Sequence, residues 1–273
     1  MAETPEHVPE GGLTAPLKFV LPRMATCPLV EDPLNMVIFS PPKIGKTTIV
    51  SALPDCLIID LEEGSNYVTG MKAKAKSIKE IKMIGAAIVA ANYPYKFIGL
   101  DTVTALEEIC LPMAEQLYAN TSMGVNWFTV GKAKYGKLLN MPNGAGYPYL
   151  REAMETVIAY VKTLAPNVIL IGHVKDTLLE RAGVEFSSKD LDLTGKTKRT
   201  VCQKADAIGY MYRKGKQTIL SFTSGDEIAC GARPAHLKGK DIVIAEENED
   251  GTLSTFWSAV YPSIKSVNLT KAA

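Results

Sequence analysis

The segment from residue 40 to residue 48 has the residue types that a phosphate-binding loop needs. It reads S-P-P-K-I-G-K-T-T, close to the pattern G-x-x-x-x-G-K-[ST], with Ser40 in place of the first glycine. In such a loop, backbone N–H groups surround a phosphate, a lysine reaches the terminal phosphates and a hydroxyl binds Mg²⁺. Gly45, Lys46 and Thr47 match these roles. The predicted nucleotide-binding residues are Ser40, Pro41, Pro42, Lys43, Ile44, Gly45, Lys46, Thr47 and Thr48.

Two carboxylates that follow apolar runs could complete this chemistry. Asp101 ends the run K-F-I-G-L-D and could bind Mg²⁺ together with Thr47, although an aspartate there could also simply cap the next helix. Glu62 follows the run from Cys56 to Leu61 and could position the water that attacks the terminal phosphate. Glu63 stands beside it, and a solvated acidic turn is the alternative interpretation.

The elements that must position these residues alternate between short apolar runs and longer amphipathic stretches. This succession predicts an α/β fold with a mainly parallel central sheet and flanking helices. The predicted strands are Leu34–Phe39, Cys56–Leu61, Phe97–Leu100 and Val168–Ile171; the predicted helices run to Leu53 and over Ser77–Asn92, Val103–Leu117 and Leu150–Leu164. After His173, three short runs suggest hairpins or edge strands, namely Thr200–Val201, Ala207–Tyr212 and Thr218–Phe222.

Composition is typical of a globular protein with one core. The chain has 273 residues, 47% of them hydrophobic, and a formal net charge of +1, which neither requires nor excludes a polyanionic partner. We expect a proline-rich arm over residues 1–33, an ATPase core over 34–240 and an extension over 241–273. Five widely spaced cysteines favour a reducing cytosol over a disulfide framework. The sequence also predicts no membrane partner, so we expect a cytoplasmic protein.

Three segments resemble RecA-type recombinases. C-L-I-I-D-L-E is similar to a strand of that family that ends in I-D-A-E, whose glutamate activates water, and this resemblance assigns that catalytic role to Glu62. I-G-L-D-T-V-T-A-L resembles the run V-V-D-S-V-A-A-L and assigns the metal role to Asp101. N-V-I-L-I-G-H ends in His173, where the family commonly has a glutamine that senses the terminal phosphate.

The resemblance covers about Leu34 to Arg233 and is most similar to phage-encoded minimal RecA cores. The long N-terminal helix and the separate C-terminal DNA-binding domain of full RecA proteins have no counterpart. It implies ATP and Mg²⁺ as cofactors and a homo-oligomer, either a ring or a filament, with ATP between subunits. Arg233 and Lys238 are the candidates for basic residues that act on a neighbour's site, with solvated charge as the alternative. A phage-encoded protein would work in the host cytoplasm.

A nucleic-acid surface is predicted where acidic residues are missing. No aspartate or glutamate lies between Glu115 and Glu152, and lysines alternate there with aromatic residues, as a single-strand site requires. The alternative is a lid or subunit contact. The predicted DNA-binding residues are Lys132, Lys134, Tyr135 and Lys137, with a second group at Lys196, Lys198 and Arg199. The lysine run from Lys72 to Lys82 is interpreted as a solvated face.

These observations together predict an ATP-dependent recombinase that binds single-stranded DNA and promotes annealing or strand exchange. A single-strand-binding protein is a further expected partner. Two alternatives stay open, a helicase-type or regulatory ATPase of the same fold and a nucleotide-gated DNA-binding or scaffold protein with negligible hydrolysis.

Overall fold

The fold was described from a computed structural model, which covers residues 30–181, 184–225 and 228–264. Its strands are β1 (Asn35–Ser40), β2 (Cys56–Asp60), β3 (Met71–Lys74), β4 (Phe97–Asp101), β5 (Asn167–Arg181), β6 (Val184–Leu191), β7 (Ala207–Lys214), β8 (Gln217–Ser221), β9 (Gly231–Ala232), β10 (Asp241–Glu247) and β11 (Leu253–Thr255). Its α-helices are α1 (Lys46–Ser51), α2 (Ile78–Ala90), α3 (Val103–Ala119), α4 (Lys132–Tyr135), α5 (Tyr147–Val161) and α6 (Gly195–Gln203).

One sheet organises these elements, in the order β11-β10-β8-β7-β1-β5-β4-β2-β3. The pairs from β7 through β1 to β3 are parallel, whereas β8, β10 and β11 add antiparallel strands at one end. In the register, Ser40 pairs with His173 and Asp60 pairs with Asp101. The carboxyl ends of β1, β2 and β4 therefore lie at the same level of the sheet as His173 within β5. The predicted α/β fold with a mainly parallel sheet and C-terminal hairpin strands is confirmed.

Apolar side chains fill both faces of the sheet. Along β1, Val37 and Phe39 point into the core that also holds α3 and α5, while Met36 and Ile38 point into the core around α1. This alternation follows from the period of two along a strand. Trp257, beyond the last long strand, is buried in the α1 core and donates a hydrogen bond to the Ile49 carbonyl at 2.8 Å. The predicted boundary at residue 240 stays a prediction.

Capping side chains fix the starts of the two helices that flank the site. Ser77 Oγ accepts a hydrogen bond from the Glu80 N–H, as in a capping box, but the Glu80 carboxylate accepts from the Lys76 N–H. Thr102 Oγ1 accepts from the Ala105 N–H at the start of α3. The predicted helices over Ser77–Asn92 and Val103–Leu117 are confirmed. In the described residues, no helix combines the length and apolar character needed to cross a membrane.

Two predicted elements need correction, and β3 is among the strands that were not predicted. Thr200 and Val201 lie in α6, because Thr197 and Val201 share its buried face at helical spacing. The strand predicted over Val168–Ile171 continues to Arg181 and pairs with β6, since backbone hydrogen bonds in a hairpin need no apolar run. β3 was missed because its sequence, M-K-A-K, is mostly exposed.

Candidate nucleotide site

The loop between β1 and α1 takes the sharp turn that a phosphate cradle requires. Gly45 has a φ of 98°, in the left-handed region, where a residue with a Cβ atom is strained. The Ile49 N–H donates to the Gly45 carbonyl at 2.9 Å, which starts α1 directly after the turn. Ser40, in place of the usual first glycine, is fully buried at the end of β1. The substitution is accommodated because Ser40 still belongs to the extended strand.

Lys46 points back across this loop. Only 6% of the residue is exposed, and its Nζ atom donates to the Ser40 carbonyl at 3.2 Å, to Ser40 Oγ at 3.1 Å and to the Pro41 carbonyl at 3.1 Å. Burial lowers the pKa of Lys46 below its ordinary value, although the charges of Asp101 and Glu62 oppose that shift. These oxygens are neutral, so Lys46 keeps a buried charge that phosphate oxygens could neutralise.

Thr47 and Asp101 form the oxygen pair expected of a Mg²⁺ site. Thr47 Oγ1 donates to Asp101 Oδ2 at 2.5 Å, and 8% of Asp101 is exposed. Burial raises the pKa of Asp101, the charges of Glu62 and Asp60 act in the same direction, and the Thr47 hydrogen bond opposes them. A hydroxyl and a carboxylate fit Mg²⁺, which binds one or two such groups and takes its other ligands from phosphates and water.

Glu62 lies at the same edge, held by two neighbours. Thr102 Oγ1 donates to Glu62 Oε1, and His173 Nε2 lies 3.1 Å from that oxygen. An ionised carboxylate only accepts hydrogen bonds, so the imidazole needs its proton on Nε2 to make this contact. Glu63 instead forms an ion pair with Lys76 at 2.9 Å. The structure therefore places Glu62, and not Glu63, beside Thr102 and His173.

Two functional candidates were missed in the sequence, Asp60 and the hydroxyl of Thr102. Burial alone would raise the pKa of Asp60, but hydrogen bonds from the Ser65 hydroxyl and from nearby backbone N–H groups outweigh it, and the pKa is lowered. One of those donors is the Glu62 N–H, at 3.0 Å. Asp60 thus shapes the turn that presents Glu62. A polar residue inside an apolar run was the available signal for Asp60.

Hydrogen bonds connect His173 to α3 and to the far end of the β5–β6 hairpin. The Asp192 N–H donates to the His173 carbonyl at 2.9 Å, and Thr104 Oγ1 donates to the Asp192 carbonyl at 3.1 Å. Thr194, just before α6, donates through its N–H and its hydroxyl to Glu107 of α3. These hydrogen bonds link the His173 backbone to the residue that follows β6 and, through Asp192, to α3.

Comparisons with known proteins place the chain in one family. A family model described as an AAA domain matches residues 32–234. The chain belongs to this family. One similar solved structure is that of a KaiC-like protein from the hyperthermophilic archaeon Pyrococcus horikoshii, with 11% identity, a TM-score of 0.40 and coverage of 82% of this chain and 90% of that chain. No curated protein matches the sequence. In this AAA domain, the loop with Gly45 and Lys46 follows β1, and Asp101 is the last residue of β4.

The acid-free segment, residues 116–151 of the AAA domain, runs from the end of α3 to the start of α5. Lys132 forms an ion pair with Glu115 at 2.8 Å, and Lys134 Nζ lies 5.2 Å from the centroid of the Tyr135 ring. Lys134 and Lys137 are exposed, and Tyr135 is half-buried. Trp127 is buried against Tyr118, with ring centroids 5.7 Å apart. Trp127 therefore packs in the protein core, where a DNA base cannot stack on its ring.

The second basic group lies on α6 of the AAA domain. Lys196 and Arg199 are exposed, while Lys198 forms an ion pair with Asp190 of β6. That contact ties α6 to the hairpin that follows His173. Lys198 therefore has a structural partner, whereas Lys196 and Arg199 remain candidates for phosphate contacts.

Arg233 and Lys238 lie away from the phosphate loop of their own chain. Arg233 contacts Asp206 Oδ1 at 3.2 Å and the Gln203 carbonyl at 2.7 Å. Asp206 in turn accepts from the Asn35 N–H, at the opposite end of β1 from the loop. Lys238 is exposed nearby. Arg233 lies by the end of β1 opposite the phosphate loop, so any contact of Arg233 with a nucleotide would be made in a neighbouring copy.

Proposed function

We propose that this AAA domain is an ATPase that binds single-stranded DNA and promotes annealing or strand exchange as a homo-oligomer. The observation that carries the enzymatic part is the convergence of Lys46, the Thr47–Asp101 pair and Glu62 at the ends of three parallel strands. Each group has a distinct set of partners. Together they match what phosphoryl transfer to water needs, namely positioning and electrostatic stabilisation.

The proposed reaction is attack by water on the terminal phosphorus of ATP. The water oxygen forms a bond to that phosphorus, the bond to the bridging oxygen breaks, and the water proton passes to Glu62. Lys46 stabilises negative charge on the terminal phosphates. Mg²⁺ held by Thr47 and Asp101 would neutralise charge on the phosphate oxygens. Thr102 and His173 orient the Glu62 carboxylate.

His173 is proposed as the residue that reports the terminal phosphate. Its ring contacts Glu62, and its backbone is bonded to Asp192, which leads into α6. A contact between His173 and the terminal phosphate, made only when ATP is bound, would favour one arrangement of the hairpin and α6. Hydrolysis would remove that contact. Such a mechanism requires a difference in affinity between the two states.

Single-stranded DNA is proposed as the partner because of the exposed lysines near residue 134 and on α6. Lysines that contact phosphates give sequence-tolerant binding, and exposed rings can stack on unpaired bases. Phe128 is 52% exposed and Tyr147 is 39% exposed, so both could take this role. The burial of Trp127 favours a second candidate function for the segment, a lid or subunit contact in a nucleotide-gated scaffold.

ATP turnover with and without single-stranded DNA tests the proposal. We expect slow hydrolysis that single-stranded DNA stimulates, together with annealing of complementary strands. Unwinding of duplex DNA would instead favour a helicase-type ATPase. Nucleotide and DNA binding without turnover would favour the scaffold. Annealing of DNA that is first coated with single-strand-binding protein then tests whether that protein and the ATPase act together.

A further inference from the structure

The two ends of the central sheet carry opposite charge. β3 forms one end and β11 the other, and within the described residues each pairs with one neighbouring strand only. An unpaired strand edge exposes N–H and C=O groups that another chain can use. We call the two ends the basic edge, at Lys72, Lys74, Lys76 and Lys79, and the acidic edge, at Glu246, Glu247, Glu249 and Asp250.

The basic edge keeps most of its charge uncompensated. No acidic residue lies between Glu63 and Glu80 in the sequence, and all four lysines are exposed. Lys72 donates to the Val68 carbonyl at 2.7 Å, and Lys74 donates to Asn66 Oδ1 at 2.8 Å. These acceptors are neutral. Only the Lys76 ammonium, among the four and within the described residues, has a carboxylate partner, Glu63.

The acidic edge carries the opposite charge to the basic edge. No lysine or arginine lies between Lys240 and Lys265 in the sequence. Glu249 and Asp250 are exposed at the turn between β10 and β11. Glu247 has one cationic partner, Arg213 at 3.6 Å, and Glu246 accepts from the neutral Gln217 amide. The Glu247 N–H donates to the Lys216 carbonyl at 3.0 Å, so the charges of Lys216 and Arg213 lie on the β8 side of β10, and the outer turn carries Glu249 and Asp250.

The two edges cannot neutralise each other within one chain. Adjacent strands lie about 4.8 Å apart, so the ends of this sheet are separated by several times the Debye length of about 8 Å at physiological salt. Like edges repel and unlike edges attract. Tyr67, which is fully exposed, and Met71, which is 46% exposed, add apolar surface beside the basic edge.

We propose that the basic edge of one copy binds the acidic edge of the next copy. Two different surfaces then meet head to tail, which generates a ring if the rotation closes and a filament if it does not. The lysines on β3 both prevent pairing between two β3 edges and select the acidic partner. This inference names the surfaces of the proposed homo-oligomer, but it does not depend on the proposed hydrolysis or on DNA.

Sedimentation of two charge-reversed variants tests the inference. One is K72E/K74E/K79E and the other is E246K/E247K/E249K, each measured without DNA, with and without a non-hydrolysable ATP analogue. We expect the parent protein to associate at low salt and to dissociate at high salt. Each variant alone should need at least about tenfold more protein to associate, because its two edges repel. An equimolar mixture of the two should associate again.

A matched control, K96E/K175E/K204E, makes the same change in net charge at exposed lysines away from both edges and should associate like the parent. Circular dichroism and thermal unfolding check that every variant is folded. A parent that is monomeric at low salt under both conditions would overturn the inference. Parental association of both reversed variants, or a mixture that stays monomeric, would do the same. A control that dissociates as the two edge variants do would show a general effect of charge and would also overturn the inference. ATP turnover of monomeric variants tests the proposed enzyme separately.

Discussion

The nucleotide site and the acid-free segment between residues 116 and 151 are held by the fold in opposite ways. At the nucleotide site, each functional side chain is fixed by strand register and by buried hydrogen bonds, such as those of Lys46 and Asp101. In the segment, Lys134 and Lys137 are exposed, between short helical turns. The comparison teaches that chemistry placed at strand ends is geometrically determined, whereas chemistry on a long connection depends on what binds it.

The largest expected effect comes from a substitution at the nucleotide site. Lys46→Ala should lower ATP hydrolysis about a thousandfold, because the loop keeps its backbone but loses the cation on the terminal phosphates. Nucleotide binding should weaken and the fold should survive. Steady-state turnover and circular dichroism measure both. Lys96→Ala, an exposed change at the opposite end of β4 from Asp101, is the control and should be mild. Parental turnover by a folded Lys46→Ala variant would contradict the phosphate-loop assignment.

A second substitution separates two adjacent carboxylates. Glu62→Gln should bind ATP and DNA but hydrolyse ATP at least about a hundredfold more slowly, as expected when a positioned base is lost. Glu63→Gln should be mild, because Glu63 pairs with the exposed Lys76. Single-turnover kinetics separates the chemical step from nucleotide binding. The reverse ranking of the two variants would contradict the assignment of Glu62.

The sequence predicts the site better than it predicts the elements after His173. Asp101 and Glu62 follow apolar runs, and parallel strands bring such ends together, so their proximity follows from the pattern alone. The Thr102–Glu62 hydrogen bond depends on side-chain rotamers, which no spacing reveals. β3 and the length of β5 were missed, because a strand whose edge or faces are exposed has no apolar run to mark it.

A third experiment tests whether the acid-free segment binds single-stranded DNA. Changing Lys132, Lys134 and Lys137 together to Ala should flatten the slope of log affinity for single-stranded DNA against log salt by up to about 2, since each phosphate contact contributes about 0.7. Lys132 should contribute least, because Glu115 already pairs with it. Fluorescence anisotropy over a salt series measures the slope. Parental affinity and slope would make the segment a lid or subunit contact.

A smaller effect is expected at the hydroxyl that orients Glu62. Thr102→Val keeps the shape of the side chain but removes the donor to Glu62, and turnover should fall roughly tenfold with little change in nucleotide affinity. Thr102→Ser restores the hydroxyl and should recover most of the rate. A Val variant with the parental rate would show that the hydrogen bond to Glu62 does not matter.

The smallest effect concerns the free energy of unfolding. It measures how much the buried charge of Asp101 destabilises the protein when no ligand is bound. Burial raises the pKa of Asp101, so the folded state favours its protonated form. Stability from this group is therefore present below the ordinary pKa and is lost as pH rises through the higher folded value. Asp101→Asn, which keeps an oxygen to accept from Thr47, should raise the urea midpoint at neutral pH and converge with the parent at acid pH. Mg²⁺ with an ATP analogue should stabilise the parent more than the variant. A variant that is less stable than the parent at neutral pH would contradict the assignment of a destabilising buried charge to Asp101.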